Sequence, residues 1–283
     1  MKIVFNDKCK KQYIHIPKGA KHIYFYDVDF DYEIDEMIYK IPNTVKEIHF
    51  GYDFNFPVDD LHSGIKKITF GGSFNQLVDN LPKSLTYLRF GEYFDKPVDN
   101  LPSNIKHIFF GSRFDRPVNN LPSKLTILQF GFWFNQPVDN LPWNIKEIKF
   151  GDCFNQPVDN LPCSIVKLKF GSYFNHPVDN LPSGIIHIYF DKHFNQSLDN
   201  LPNSINYIIY RRESDFNQYI YKLPKNLKVI NFGRCAKINN ELDLSNNEKL
   251  VNVFLPDKYE FVITKKCKKT NILTYLDYQS DDE

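Results

Sequence analysis

Histidines and cysteines are the side chains of this chain best suited to acid–base, nucleophilic or metal chemistry, and their spacing favours none of the three. His49, His107, His187 and His193 include no His-x-x-x-His pair, and Cys9, Cys153, Cys163, Cys235 and Cys267 include no Cys-x-x-Cys pair. The tetrahedral ligand sets that hold zinc therefore have no counterpart. Neither Cys153 nor Cys163 has a base marked beside it, as a nucleophilic thiolate requires. Glycines recur about twenty residues apart instead of gathering into a phosphate-cradling loop. One regular array of ligating groups exists: Asp59, Asp79, Asp99, Asp139, Asp159, Asp179 and Asp199. Stacked about 4.8 Å apart, as on neighbouring strands, such carboxylates could hold Ca²⁺. Asn119 occupies the same column, which favours a solvent-facing turn residue over a ligand. No catalytic residue, cofactor or metal is assigned.

The elements that position these side chains follow from one period. Phe54, Phe74, Phe94, Phe114, Phe134, Phe154, Phe174 and Phe194 recur every twenty residues within the frame F-N-Q-P-V-D-N-L-P-x-x-I-x-x-I-x-F-G-x-x. A fixed period of this length marks a solenoid whose units stack on one another. In the unit containing Ile65, Ile68 and Phe70, the final alternation places Ile68 and Phe70 on one face of a short strand. Gly71 is expected to free the backbone for the turn that follows. The two prolines on the return path of most repeats make a helix there improbable on steric grounds, so it reads as extended or polyproline-like. The expected core columns are those of Phe54, Val58, Leu61, Ile65, Ile68 and Phe70. The asparagines after the inward Phe, and those before Leu-Pro, read as ladders that satisfy turn backbone groups.

The fold class is thus mainly β: a solenoid of 20-residue coils with a parallel sheet on its concave face and an extended convex side. Regularity fails toward both ends, as terminal repeats require. Residues 1–16 read as an N-terminal cap, 17–233 as the solenoid, and 234–283 as a C-terminal cap with a degenerate coil at Leu250–Pro256, two further strands and an acidic tail. The first residues contain no apolar run suited to a signal peptide. No stretch reaches the roughly 20 apolar residues of a membrane span. Five cysteines at irregular repeat positions suggest reduced thiols in a cytosol-like compartment.

The segment Leu81 to Phe90, Leu-Pro-x-Ser-Leu-x-x-Leu-x-Phe, resembles the short bacterial-type leucine-rich repeat. The complete unit, with Phe-Asn-Gln-Pro and Phe-Gly, is similar to the FNIP repeat of giant DNA viruses and amoebae, over roughly residues 41–233. The resemblance implies protein–protein interaction in the cytoplasm, the host's cytoplasm if the chain is viral, with a host protein as the natural target. Some members of that family carry an F-box. Sixteen residues precede Pro17, too few for one, so direct ubiquitin-ligase recruitment is not expected.

With Ile68 and Phe70 inward, Lys67 and Thr69 face outward. The same register generates two outward columns, one through Glu47, Lys67, Tyr87, His107, Ile127, Glu147, Lys167, His187 and Tyr207. The other runs through His49, Thr69, Arg89, Phe109, Gln129, Lys149, Lys169, Tyr189 and Ile209. Five basic residues against two acidic make this face basic in a chain of net charge +1. A third variable column, just past the strand, holds Tyr93, Arg113, Trp133, Cys153, Tyr173 and His193, with Phe132 beside Trp133. Aromatic residues and arginine dominate interface energetics. The expected partner-binding residues are Lys67, Tyr87, Arg89, His107, Phe109, Ile127, Phe132, Trp133, Lys149, Lys167, Lys169, Tyr173 and Tyr189. The partner expected is an acidic protein. Three alternatives carry less weight. These are a glycan-binding or glycan-acting β-solenoid, a weak nucleic-acid binder (disfavoured by a pI near 7.6), and a homodimer through the same face or the terminal strand edges.

Overall fold

The computed structural model describes residues 1–5, 16–26, 41–211, 213–233, 242–255, 263–265 and 269–274. The acidic tail, most of the N-terminal segment before Ile16, and the stretch 234–241 lie outside these. The chain divides into two compact units, residues 1–136 with 140–145 and residues 137–139 with 146–283.

In the first unit the strands are β1 (Lys2–Phe5), β2 (His22–Phe25), β3 (Glu47–His49), β4 (Lys67–Thr69), β5 (Tyr87–Arg89), β6 (His107–Phe109) and β7 (Ile127–Gln129). They pair in parallel in chain order. In the second unit β8 (Glu147–Lys149), β9 (Lys167–Lys169), β10 (His187–Phe190), β11 (Tyr207–Tyr210) and β12 (Val229–Asn231) do the same. That ladder continues through β14 (Asn252–Leu255) and β16 (Asn271–Thr274), while β13 (Leu242–Asp243) pairs with β15 (Ile263–Lys265). β1 lies within the expected N-terminal cap, and β13 to β16 lie within the expected C-terminal segment. No helix among the described residues is long and apolar enough to cross a membrane.

Each coil consists of a three- or four-residue strand and tight turns. In the coil from Gly51 to Phe70, Phe54 N–H donates to Gly51 O (3.3 Å), Leu61 N–H to Val58 O (3.3 Å) and Ile65 N–H to His62 O (3.4 Å). Coils such as 91–110, with Pro97 and Pro102, carry the proline pair that excludes a helix here, and the coil from Gly51 to Phe70 keeps the same turns with Pro57 alone. All six expected core columns are buried: Phe54, Ile65 and Ile68 are fully inaccessible, and Val58, Leu61 and Phe70 nearly so. The phenylalanine that closes each strand stacks face to face on the one four residues later, at 3.7 Å for Phe70 and Phe74 and 3.8 Å for Phe110 and Phe114. Each also stacks on its equivalent in the next coil, at 6.0 Å for Phe94 and Phe114 and 5.5 Å for Phe90 and Phe110. The second unit repeats this with Phe150, Phe154, Phe170, Phe174, Phe190 and Phe194.

The glycine after the strand differs from its expected role. Positive φ occurs at Gly233 and not at Gly71, so the turn itself does not demand glycine. Close approach of successive coils does: a Cβ on Gly91 would overlap the carbonyl oxygen of Gly71, and one on Gly111 that of Gly91.

The asparagine ladders are present, one as expected and one altered. Asn55 Oδ1 accepts from Asn75 N–H (2.8 Å), Asn75 Oδ1 from Asp95 N–H (3.0 Å), and Asp95 Oδ1 from Asp115 N–H (3.2 Å). In the second ladder the amide bonds a side chain instead of turn backbone. Asn80 Nδ2 donates to Asp59 Oδ1 (3.1 Å), Asn100 Nδ2 to Asp79 Oδ1 (3.1 Å), and Asn160 Nδ2 to Asp139 Oδ1 (3.0 Å). The aspartate column therefore serves as acceptor for the next coil's amide. Truncating Asn75 to alanine leaves Asp95 N–H without its acceptor and is expected to cost about 1 kcal/mol, read from urea denaturation. Asn75→Asp, which keeps an acceptor as Asp95 and Asp115 do, should cost distinctly less.

Candidate functional site

β-strand alternation sends every second side chain out of the core, and the outward columns fall in the register expected. In the first unit Glu47, Lys67, Tyr87, His107 and Ile127 are successive register partners, as are His49, Thr69, Arg89, Phe109 and Gln129. Cations there lie over aromatic rings. Lys67 Nζ is 4.8 Å from the Tyr87 ring centre, and the Arg89 guanidinium carbon 5.4 Å from that of Phe109. Tyr87 also touches Phe109 at 5.2 Å and meets His107 edge-on at 6.1 Å. Contacts of this kind contribute about 0.5–1 kcal/mol at exposed sites, and here they hold rings and cations in fixed places. Ile127 is half-buried beside His107.

Past β7, Phe132 and Trp133 pack edge to face at 4.9 Å. They leave 40% and 58% of their surface exposed, enough to act as anchors. Arg113 sits over Tyr93 at 4.5 Å. The structure thus joins Lys67, Tyr87, Arg89, His107 and Phe109 into one network and Phe132 with Trp133 into another.

Glu47 organises the start of this face. Its carboxylate accepts from Lys67 Nζ (2.7 Å), His49 Nε2 (2.7 Å) and His22 Nδ1 (2.8 Å). Burial would raise its pKa, but the hydrogen bonds from Lys67, His49 and His22 outweigh that and bring it down to about 2. His49 moves down as well, because its burial outweighs the attraction of Glu47. Near neutral pH Glu47 is therefore a carboxylate and His49 a neutral donor. Burial also lowers His62, His107 and His187, aided by Lys46, Lys106 and Lys167 respectively.

These shifts share a sign. A depressed histidine takes up its proton more readily in the unfolded chain, so stability is lost as pH falls through the unfolded value near 6.5. A depressed carboxylate contributes stability above its unfolded value near 4.5, and loses it as pH falls toward about 2. The melting temperature is expected to drop on acidification below about pH 6.5 and again below about pH 4.5. Glu47→Gln should weaken the second step and enlarge the first, because His49 loses the carboxylate that raises its pKa. A flat profile across both windows would contradict the assignment.

In the second unit Glu147, Lys167, His187 and Tyr207 are successive partners in one column. Lys149, Lys169, Tyr189 and Ile209 form the other. Lys167 Nζ reaches Glu147 Oε1 at 3.3 Å, a looser pair than Lys67 with Glu47. Lys169 Nζ lies 4.8 Å from the Tyr189 ring centre, and Lys167 Nζ 6.0 Å from it. His187 stacks on Tyr207 at 4.5 Å. Tyr173, 54% exposed, stacks on His193 at 5.2 Å, and His193 Nδ1 is 2.7 Å from Asp215 Oδ2.

Sequence reasoning missed three features. Glu47 as a hub was hidden because the interval before the regular coils breaks the twenty-residue period that would align His22 with it. Trp143, 70% exposed, stands in a turn after Leu-Pro, at a variable position of the repeat frame to which no role was assigned. Tyr219 and Tyr221, stacked at 6.0 Å and both exposed, replace the Pro and Asp of the repeat, a departure visible in the sequence. Among the described residues no three of His, Cys, Asp and Glu gather as a metal site would need.

The FNIP repeat profile matches residues 54–93, 94–132, 134–173 and 174–210, more than half of the chain. The chain belongs to the FNIP repeat family. No curated protein matches it. Among solved structures it is similar to CroV588, a giant-virus protein described as a novel circular leucine-rich-repeat structure, with 32% identity and a TM-score of 0.79. That match covers 91% of this chain and 40% of CroV588, so the chain spans well under half of its relative's length. YopM from Yersinia enterocolitica aligns over 90% of this chain and 73% of its own, at 14% identity and a TM-score of 0.45. The likeness to CroV588 makes the FNIP coil a leucine-rich-repeat-like β-solenoid unit, a fold used commonly as an interaction scaffold.

Proposed function

We propose that this FNIP protein is a non-enzymatic scaffold that binds another protein through the outward face of its strands. The observation that carries the reading is the contrast between columns. Inward positions repeat the same few apolar types, whereas the outward ones present Lys67, Tyr87, Arg89, His107, Phe109 and Ile127 in one unit and Lys149, Lys167, Lys169 and Tyr189 in the other. Conformationally fixed aromatics and cations make effective hot spots because little side-chain freedom remains to be lost on binding. Phe132 and Trp133 in the first unit, and Tyr173 in the second, add exposed rings beyond the strands of each. The partner is an acidic protein, by charge complementarity. The compartment is a reducing cytoplasm, that of the host if the chain is viral; Cys163, an exposed free thiol, supports this.

The test is a quantitative pull-down from amoebal cytosol with the native chain and a Phe109→Ala/Trp133→Ala variant of matched melting temperature. One partner should be retained by the native chain and reduced at least about tenfold by the variant. Equal retention by both would remove the strand face from consideration.

A further inference from the structure

The second unit carries an electrostatic arrangement that its fold does not require. Lys149 and Lys169 are direct register partners on adjacent parallel strands, and Lys167 stands two residues from Lys169 on the same outward face. Like charges directly opposite one another on a sheet are destabilising. The nearest acid on these columns, Glu147, is engaged by Lys167 at 3.3 Å. The equivalent place in the first unit is built differently: Glu47 holds Lys67 at 2.7 Å, and the residue beside Lys67 on that face is the uncharged Thr69. The fold does not call for lysine at this place, since β4 forms the same three-residue strand with Thr69 there.

We propose that Lys149, Lys167 and Lys169, with the Tyr189 ring as a wall, form a receptor for a phosphate group on a segment of a partner protein. Lys149 on β8 and Lys167 and Lys169 on β9 put three ammonium donors on one face of two adjacent strands, and a phosphate dianion offers three acceptor oxygens to them. Tyr189 is Lys169's register partner on the next strand, and its ring lies near both Lys167 and Lys169, which limits where the two cations can point. Burial and the nearby Lys167 charge hold the Lys169 pKa below the ordinary lysine value, and an anion placed beside it would raise it again. The cluster is local, and the chain carries a net charge of only +1. A nucleic-acid backbone would need a long basic track, so a single phosphorylated side chain fits better. This rests on the strand-face reading above and gives it a chemistry.

The experiment uses the full chain and fluorescence polarisation with two degenerate peptide pools, alike except that one carries a central phosphoserine or phosphotyrosine. An oligothymidylate serves as a third probe. The phosphorylated pool should bind, the unmodified pool should bind at least about tenfold more weakly, and Lys149→Gln/Lys169→Gln should abolish the difference. Excess phenyl phosphate should displace the bound pool from the native chain, which keeps the test decisive if the double variant does not fold. Equal binding of both pools overturns the proposal, and so does oligothymidylate binding tighter than the phosphorylated pool. In the first case, retention of a partner lost by Phe109→Ala/Trp133→Ala would still uphold the scaffold reading, so the two failures are separable.

Discussion

Gly91→Ala should destabilise the protein by about 3 kcal/mol or more, at the upper end of what overpacking costs. The added methyl would overlap the Gly71 carbonyl oxygen, with its carbonyl carbon and Gly72 N close behind. Backbone cannot swing aside as a side chain would, so the two coils must separate. Separation stretches the bonds that clamp them on either side, Phe70 N–H to Arg89 O and Tyr93 N–H to Gly72 O, both 2.9 Å. Gly19→Ala is the control, because nothing lies within 4 Å of the Cβ it would gain. It should leave stability unchanged or raise it by a few tenths of a kcal/mol through the unfolded chain. Urea denaturation separates the two outcomes. Similar midpoints for both variants would show that coil-to-coil contact does not set the glycine column.

Phe114→Ala is expected to cost about 3–5 kcal/mol, the range for emptying a buried aromatic site. The ring has no solvent exposure and touches three others: Phe110 at 3.8 Å, Phe94 at 6.0 Å and Phe134 at 6.1 Å. These neighbours are themselves fixed by stacking, so the cavity cannot easily collapse. Trp133→Ala removes a larger side chain but one that is 58% exposed, and it should fall within about 0.5 kcal/mol of the native chain. That contrast identifies Phe114 as core and Trp133 as surface available for another molecule. A comparable loss from Trp133→Ala would mean that the exposed pair is structural.

The inward columns were legible because a twenty-residue period superimposes every coil, and alternation within Ile68-Thr69-Phe70 assigns each side chain a face. The outward register of Lys67, Tyr87, Arg89 and Phe109 followed from the same alternation. The purpose of Gly71 was not legible. A sequence presents glycine as a conformational option, whereas the constraint here is the distance to another coil's carbonyl. The pairing of Asn80 with Asp59 was hidden for a similar reason: each column is visible alone, but the bond crosses between coils. Glu47 as an acceptor for three donors depended on His22, which the broken period displaced from its column. Cation–aromatic stacking along the face was readable only as composition, since geometry decides whether Lys67 lies over Tyr87 or elsewhere.

The measurement that bears most directly on the scaffold reading is hydrogen–deuterium exchange of the full chain, alone and with its captured partner. Binding through the strand face predicts new protection in the segments holding Tyr87–Arg89, His107–Phe109 and Phe132–Trp133, with the Asp59 to Asn100 turns unchanged. Protection confined to those turns, with the strand segments exchanging as in the free chain, would contradict it.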